Sequence, residues 1–301
     1  MTEPAPIPAD HWLHQIRNSM NYKKAVLTFA SLVCFGMFWY AGEMLHVPEH
    51  RGHAASLMLQ PNMALIWVVT AALTLLSVVV GSLIAGRIRA DVGIFTAAAG
   101  LSALSLRGGP MRDVIIVSPG PRIFLSLAVE LLLLYAFLGA GWLILQWMHA
   151  KNLVRRDVAR EQLADMQQLD SAGPLSAATQ IIVMTILMLL LSQSDQKSQV
   201  LAAVGLSSYL ATLAAHNSFP AMESFWYWTG PLVVGLIGFF CATQTGNHWL
   251  IGEPGGLMPA LARPLPLDYA AAGPIGALLA YWTSMRWLVA KELGDDDGEA
   301  A

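Results

Sequence analysis

About eight separate runs of apolar residues fill the chain between Ala25 and Val289, and no other feature restricts its fold as much. A hydrocarbon core about 30 Å thick needs roughly 20 apolar residues in a helix. Ala64–Ala85 and Ile123–Trp147 supply that without a single Lys or Arg. Backbone groups in lipid must be bonded within their own segment, so the runs can only be helices. The spans read as Ala25–Leu45, Ala64–Ala85, Ala90–Leu106, Ile123–Trp147, Leu175–Leu191, Val200–Ala215, Phe225–Cys241 and Tyr269–Val289. The fold class predicted is all-α, a polytopic transmembrane helix bundle of about eight spans.

Placement of Lys and Arg sets the orientation. With a cytoplasmic N-terminus and eight spans, the inner segments hold 11 of these residues and the outer segments 6. The cluster Arg107, Arg112 and Arg122 on the outer side opposes this choice. Tryptophans favour the same layout: Trp39 and Trp67 mark one interface, and Trp142, Trp147, Trp226, Trp228, Trp282 and Trp287 the other. The location expected is a cell membrane, of the bacterial inner-membrane type if the source is prokaryotic. The first run lacks a small-residue cleavage site and reads as an uncleaved span rather than a signal peptide.

Only 12% of the 301 residues are charged, which leaves little material for a soluble domain. Residues 1–24 form a cytoplasmic N-terminal segment, in which a short interfacial helix from Asp10 would present Trp12, Leu13, Ile16 and Met20 on one side. Residues 25–291 make a single transmembrane domain, interrupted by a basic-then-acidic cytoplasmic linker at 149–173, and residues 292–301 form an acidic disordered tail. The net charge of −3 and the lack of a basic stripe exclude nucleic acid as a partner. Cys34 and Cys241 stand alone, without a CxxC or Cys/His cluster, so no cofactor, metal site or catalytic set is assigned.

Small residues mark the helices that can approach closely in lipid. Ala272, Gly276 and Ala280 recur every four residues in the last span, and Ala203, Ser207 and Ala211 do so in the sixth. The third span is small nearly all round. These three helices are expected in the middle of the bundle, with the Leu-rich fourth and fifth facing lipid. Ala97–Ser102 also resembles Ala202–Ser207 at an offset of 105 residues. Such an offset would relate three-helix units of opposite orientation, as in many transporters.

Few side chains in the spans can carry chemistry. Glu130 is an acidic residue well inside an apolar run, where a carboxylate is costly and should face a partner in the interior. Gln180 could extend a polar path from it. Ser194, Asp195 and Lys197 lie in the tight polar hairpin Ser192–Ser198, with Asp195 and Lys197 readable as an ion pair. His46, Glu49, His50 and His53, on the same side as His248 and Glu253, are ligand types for zinc, copper or nickel, but Pro48 and Gly52 deny them a fixed helical geometry. Lys151, Arg155, Arg156 and Arg160 would hold anionic headgroups, and the 149–170 linker offers a surface to a cytoplasmic protein partner beyond the lipid bilayer itself. Three functions follow. The leading one is a small-molecule or ion transporter. The others are a non-catalytic membrane subunit or scaffold and a metal-dependent membrane enzyme.

Overall fold

The computed structural model describes residues 20–45, 56–60, 62–86, 88, 91–151, 153, 172–244 and 258–295. All regular structure among them is helical. The helices are α1 (Met20–Leu45), α2 (Met63–Ala85), α3 (Val92–Arg107), α4 (Met111–Val117), α5 (Arg122–Ala150), α6 (Gly173–Leu191), α7 (Lys197–Ser218), α8 (Phe225–Trp228), α9 (Gly230–Gln244) and α10 (Pro266–Asp295). Short 3₁₀ turns lie at Leu57–Leu59 and Ala260–Ala262. The first helix thus takes in the last residues of the segment read as an N-terminal tail. The last helix runs on to Asp295, into the acidic end.

Among the described residues, six helical segments are long and apolar enough to cross a membrane: α1, α2, α5, α6, α7 and the α8–α9 pair. The α3–α4 pair, bent by 58° at the Gly108-Gly109-Pro110 break, would make a seventh. α10 is about 45 Å long at 1.5 Å per residue, yet it is not apolar enough to join them. Its position explains why. From Pro266 to Met285 it is almost wholly enclosed, with Leu279 alone exposed, so protein rather than lipid surrounds its Gly, Ser, Thr and Tyr residues.

α10 packs along α7 and α3 and also touches α5, α8 and α9. α3 is likewise buried from Val92 to Ala98 and again at Gly100, Leu101 and Ala103–Ser105. Close approach is achieved through glycine. A Cβ on Gly276 would lie 2.2 Å from the Gly205 carbonyl of α7, and one on Gly81 of α2 would lie 1.9 Å from Thr96 Oγ1 of α3. α6 lies at the periphery, with Leu175, Ile182, Ile186 and Leu190 exposed.

The structure corrects two expectations. α5 is not simply a lipid-facing helix. One side of it (Phe124, Leu127, Glu130, Leu131, Leu134, Leu138) is buried against α2, α9 and α10, while Leu125, Val129, Leu132 and Leu143 remain outside. Its many leucines serve both faces, so composition could not separate them. Trp228 and Trp282 are also not interfacial anchors. Both are buried, Trp228 between Tyr135 and Phe225 and Trp282 against Phe95, whereas Trp39, Trp147 and Trp287 are exposed.

Polar ties identify which helix ends meet. Arg107 at the end of α3 pairs with Glu43 near the end of α1 at 2.8 Å, its guanidinium 4.4 Å over the Trp39 ring. The starts of α7 and α10 are joined through Lys197 and Asp268. This Lys197 end of the bundle therefore gathers the ends of α1, α3, α6 and α9 and the starts of α2, α5, α7 and α10. The hairpins α2–α3 and α6–α7, which the 105-residue offset superposes, consequently run in opposite directions.

Candidate functional site

Asp268 is the third residue of α10, after Pro266, whose missing N–H costs nothing in a first turn. Its Oδ2 accepts the Leu265 N–H at 2.9 Å, so it reaches back to the residue that caps the helix. The other oxygen, Oδ1, accepts Ser105 Oγ of α3 at 2.5 Å and meets Lys197 Nζ of α7 at 2.5 Å. The Asp268 side chain is 1% exposed and that of Lys197 16%. A cation in the first turn of a helix opposes the helix dipole. Lys197 sits in the first turn of α7, so its placement is favoured by Asp268 rather than by its own helix.

Glu130 is fully buried, two turns into α5. Its carboxylate accepts three hydrogen bonds, all from the short segment ahead of α2. Ser56 Oγ donates to Oε2, the Leu57 N–H to Oε1 at 3.2 Å and the Met58 N–H to Oε2 at 3.2 Å. Ser56 is also the N-cap of the Leu57–Leu59 turn and accepts the Met58 N–H at 3.2 Å. Ser56, Leu57 and Gln60 are buried as well, so the turn dips into the bundle. Asp268 thus holds the Lys197 ammonium directly, and Glu130, near the same end of the bundle, is held by the turn ahead of α2.

The hairpin between α6 and α7 surrounds this pair without forming the expected internal one. Lys197 turns inward to Asp268, and Asp195 faces Arg263 Nε at 3.7 Å instead. The cause is tertiary: Asp268 is the enclosed, dehydrated partner, while Asp195 is 46% exposed. Arg263 Nη1 donates to the Ser192 carbonyl at 2.5 Å and Nε to the Met258 carbonyl at 3.3 Å, pinning the end of α6 to the approach to α10. Ser194 serves the turn itself, accepting the Gln196 N–H at 3.1 Å.

Gln180 belongs to a different cluster. Its Nε2 donates to Thr212 Oγ1 at 2.8 Å and to the Tyr227 carbonyl at 2.7 Å, linking α6 to α7 and α8. Ala203, Ser207 and Ala211 are buried on α7, and Gly276 and Ala280 on α10. α7 and α10 also approach closely at Gly205 and Tyr209, against which Ala272 and Gly276 rest. The histidine cluster at 46–53, His248, Glu253, Arg155, Arg156, Arg160 and the Asp10 helix all lie outside the described residues. Among the described residues, no group of three or more His, Cys, Asp or Glu side chains is placed to hold a metal ion.

Sequence reasoning missed Asp268, Ser56, Ser105 and Arg263. Asp268 precedes the last apolar run directly, and Ser105 sits near the end of the third. Both therefore read as ordinary helix-end residues. Arg263 had a legible signal, a lone cation among apolar residues and prolines in Leu261-Ala262-Arg263-Pro264-Leu265.

No family model matches the chain, and no curated protein or solved structure matches it either.

Proposed function

We propose that this multi-pass membrane protein translocates a proton or small cation, and that Glu130, Asp268 and Lys197 form its ion-handling site. One observation carries the reading: two carboxylates are buried with one ammonium at one end of a membrane bundle. Uncompensated buried charge is costly, so an excess carboxylate draws a proton or cation to itself. Ionisable groups inside membrane bundles typically mark ion or proton pathways. Asp195 and Arg263 add one charge of each sign and leave the excess unchanged. In this reading the bent α3–α4 pair is one crossing and α10 the eighth, shielded from lipid by its neighbours. The N-terminus is cytoplasmic, which places the Lys197 end outside.

A membrane subunit or scaffold is favoured by one feature: each oxygen of Glu130 and Asp268 already has a donor. Flux separates the two readings. The full chain is reconstituted into phosphatidylethanolamine–phosphatidylglycerol vesicles carrying an internal pH dye and a valinomycin-set potassium gradient. Acidification above that of protein-free vesicles is expected for the wild type. Glu130→Gln and Asp268→Asn should bring it to the protein-free rate while retaining helical circular dichroism. Wild-type vesicles that pass neither protons nor sodium would leave the scaffold reading in place. A fully active Glu130→Gln would remove Glu130 from the site.

A further inference from the structure

Ser208, Thr212 and His216 follow one another at four-residue spacing on α7, and all three are buried. Ser208 Oγ donates to the Gly273 carbonyl of α10 at 2.7 Å, and Thr212 accepts from Gln180. His216 lies near the far end of α7. From Lys197 to His216 the helix rises about 28 Å, close to the roughly 30 Å of a hydrocarbon core.

The orientation of the Asn217 amide decides which imidazole nitrogen carries the proton. His216 Nδ1 lies 2.8 Å from Ser284 Oγ of α10, and Ser284 Oγ donates to Asn217 Oδ1 at 2.6 Å. A hydroxyl has one hydrogen, and an amide oxygen only accepts. With Asn217 Oδ1 facing Ser284, the serine hydrogen goes to Asn217, and Ser284 accepts from His216 Nδ1–H. Nε2 is then a bare lone pair, and it is buried without a hydrogen-bond partner.

The groups facing the ring come from three further elements. Tyr227 of α8 and Tyr281 of α10 each lie 5.4 Å away between centroids, and the Ala221 backbone of the α7–α8 connection lies beside it. Neither tyrosine hydroxyl serves the imidazole. Tyr281 donates to the Met222 carbonyl at 2.5 Å, and Tyr227 accepts from Ser176 and from the Ala221 N–H. Burial of the ring opposes its charged form, and the Ala221 backbone beside it is placed to receive a new N–H.

We propose that His216 Nε2 is a second proton-binding site, at the end of the bundle opposite Glu130, Asp268 and Lys197. A proton from water on that face adds to the Nε2 lone pair and leaves by the reverse step. Nδ1–H stays on Ser284 in both states, and no bond within the protein breaks. Its role as the far station of a proton path rests on the translocation reading, whereas the binding of the proton does not.

The test needs no substitution for assignment. Of the eight histidines, only His216 follows an alanine, so carbonyl-¹³C alanine with ¹⁵N histidine labels one peptide uniquely. Solid-state NMR of the full chain in the same vesicles should show protonated Nδ1 and bare Nε2 at high pH. The Nε2 signal should convert to the protonated form on acidification. An Nε2–H tautomer at high pH, or a bare Nε2 down to the pH at which the protein unfolds, would overturn the proposal. In the flux assay His216→Gln should reduce proton uptake to the protein-free rate. If that variant misfolds, Ser284→Ala is used, and it should alter the high-pH tautomer ratio. NMR titration in a protein without flux would uphold the site and remove the translocation reading. Undiminished flux with an untitrating Nε2 would do the opposite.

Discussion

At the scale of single residues, the Lys197–Asp268 pair makes the sharpest stability statement. Removing one partner of a buried ion pair leaves a charge stranded, which typically costs about 3–5 kcal/mol. Replacing both partners with apolar groups of similar size removes the stranded charge. Asp268→Asn should therefore destabilise the protein strongly in chemical denaturation in detergent, and Lys197→Met with Asp268→Leu should recover part of that loss. A single variant unfolding with the wild type would mean that water reaches the pair. Glu130 makes a related statement, because all its donors belong to one turn. Glu130→Gln keeps an acceptor oxygen but turns an N–H₂ towards backbone N–H groups. A cysteine at Met58, in a background lacking Cys34 and Cys241, should then react faster with a water-soluble maleimide than it does beside native Glu130. Equal rates would show that the turn is held by other contacts. Glu130 was legible in the sequence because a carboxylate inside an apolar run has few benign explanations. Asp268 was not, because an acid three residues into a helix explains itself as a cap. It does cap Leu265, and its second use depends on a lysine from another helix.

At the scale of elements, hydropathy located the helices well and their surroundings poorly. A run of small residues announces close packing but does not say which of several stripes meets the partner. On α7 a close contact with α10 uses Gly205 and Tyr209, beside the Ala203–Ser207–Ala211 stripe. Length and apolarity also could not register that the seventh apolar run begins as the short α8 and continues as α9, or that α10 can be polar because it is enclosed. Glycine substitutions test this packing with opposite signs. Gly276→Ala drives a methyl into the backbone of α7, which cannot rotate away, and should lower the melting temperature in detergent. Gly205→Ala has its nearest neighbour at 3.7 Å and should be close to neutral. Gly36 of α1 has nothing within 4 Å, so Gly36→Ala should be neutral or add up to about 1 kcal/mol through helix propensity. A reversed order for Gly276 and Gly205 would mean that α7 and α10 are not packed as described.

At the scale of the whole molecule, α10 decides the topology. If it crosses, and α3–α4 makes one bent crossing, the crossings number eight and both ends of the described bundle lie on one face. If α10 did not cross, the count would be seven, and α1 and α10 would start and finish on opposite faces. Charge favours the even count. Lys and Arg in the segments flanking the start of α1, the end of α5 and the end of α10 outnumber those at the Lys197 end. At that end Arg107, Lys197 and Arg263 are each engaged by a carboxylate, which blunts their pull on orientation. Reporter fusions in a bacterial inner membrane read this directly. Green fluorescent protein after α10 should fluoresce, and alkaline phosphatase there should be inactive. Phosphatase inserted in the Ser192–Ser198 hairpin should be active. An active phosphatase after α10, together with an N-terminal end that stays cytoplasmic, would establish an odd number of crossings. The inverted relation of α2–α3 to α6–α7 follows from which helix ends meet, so it survives either count, and such a result would bear on α10 alone.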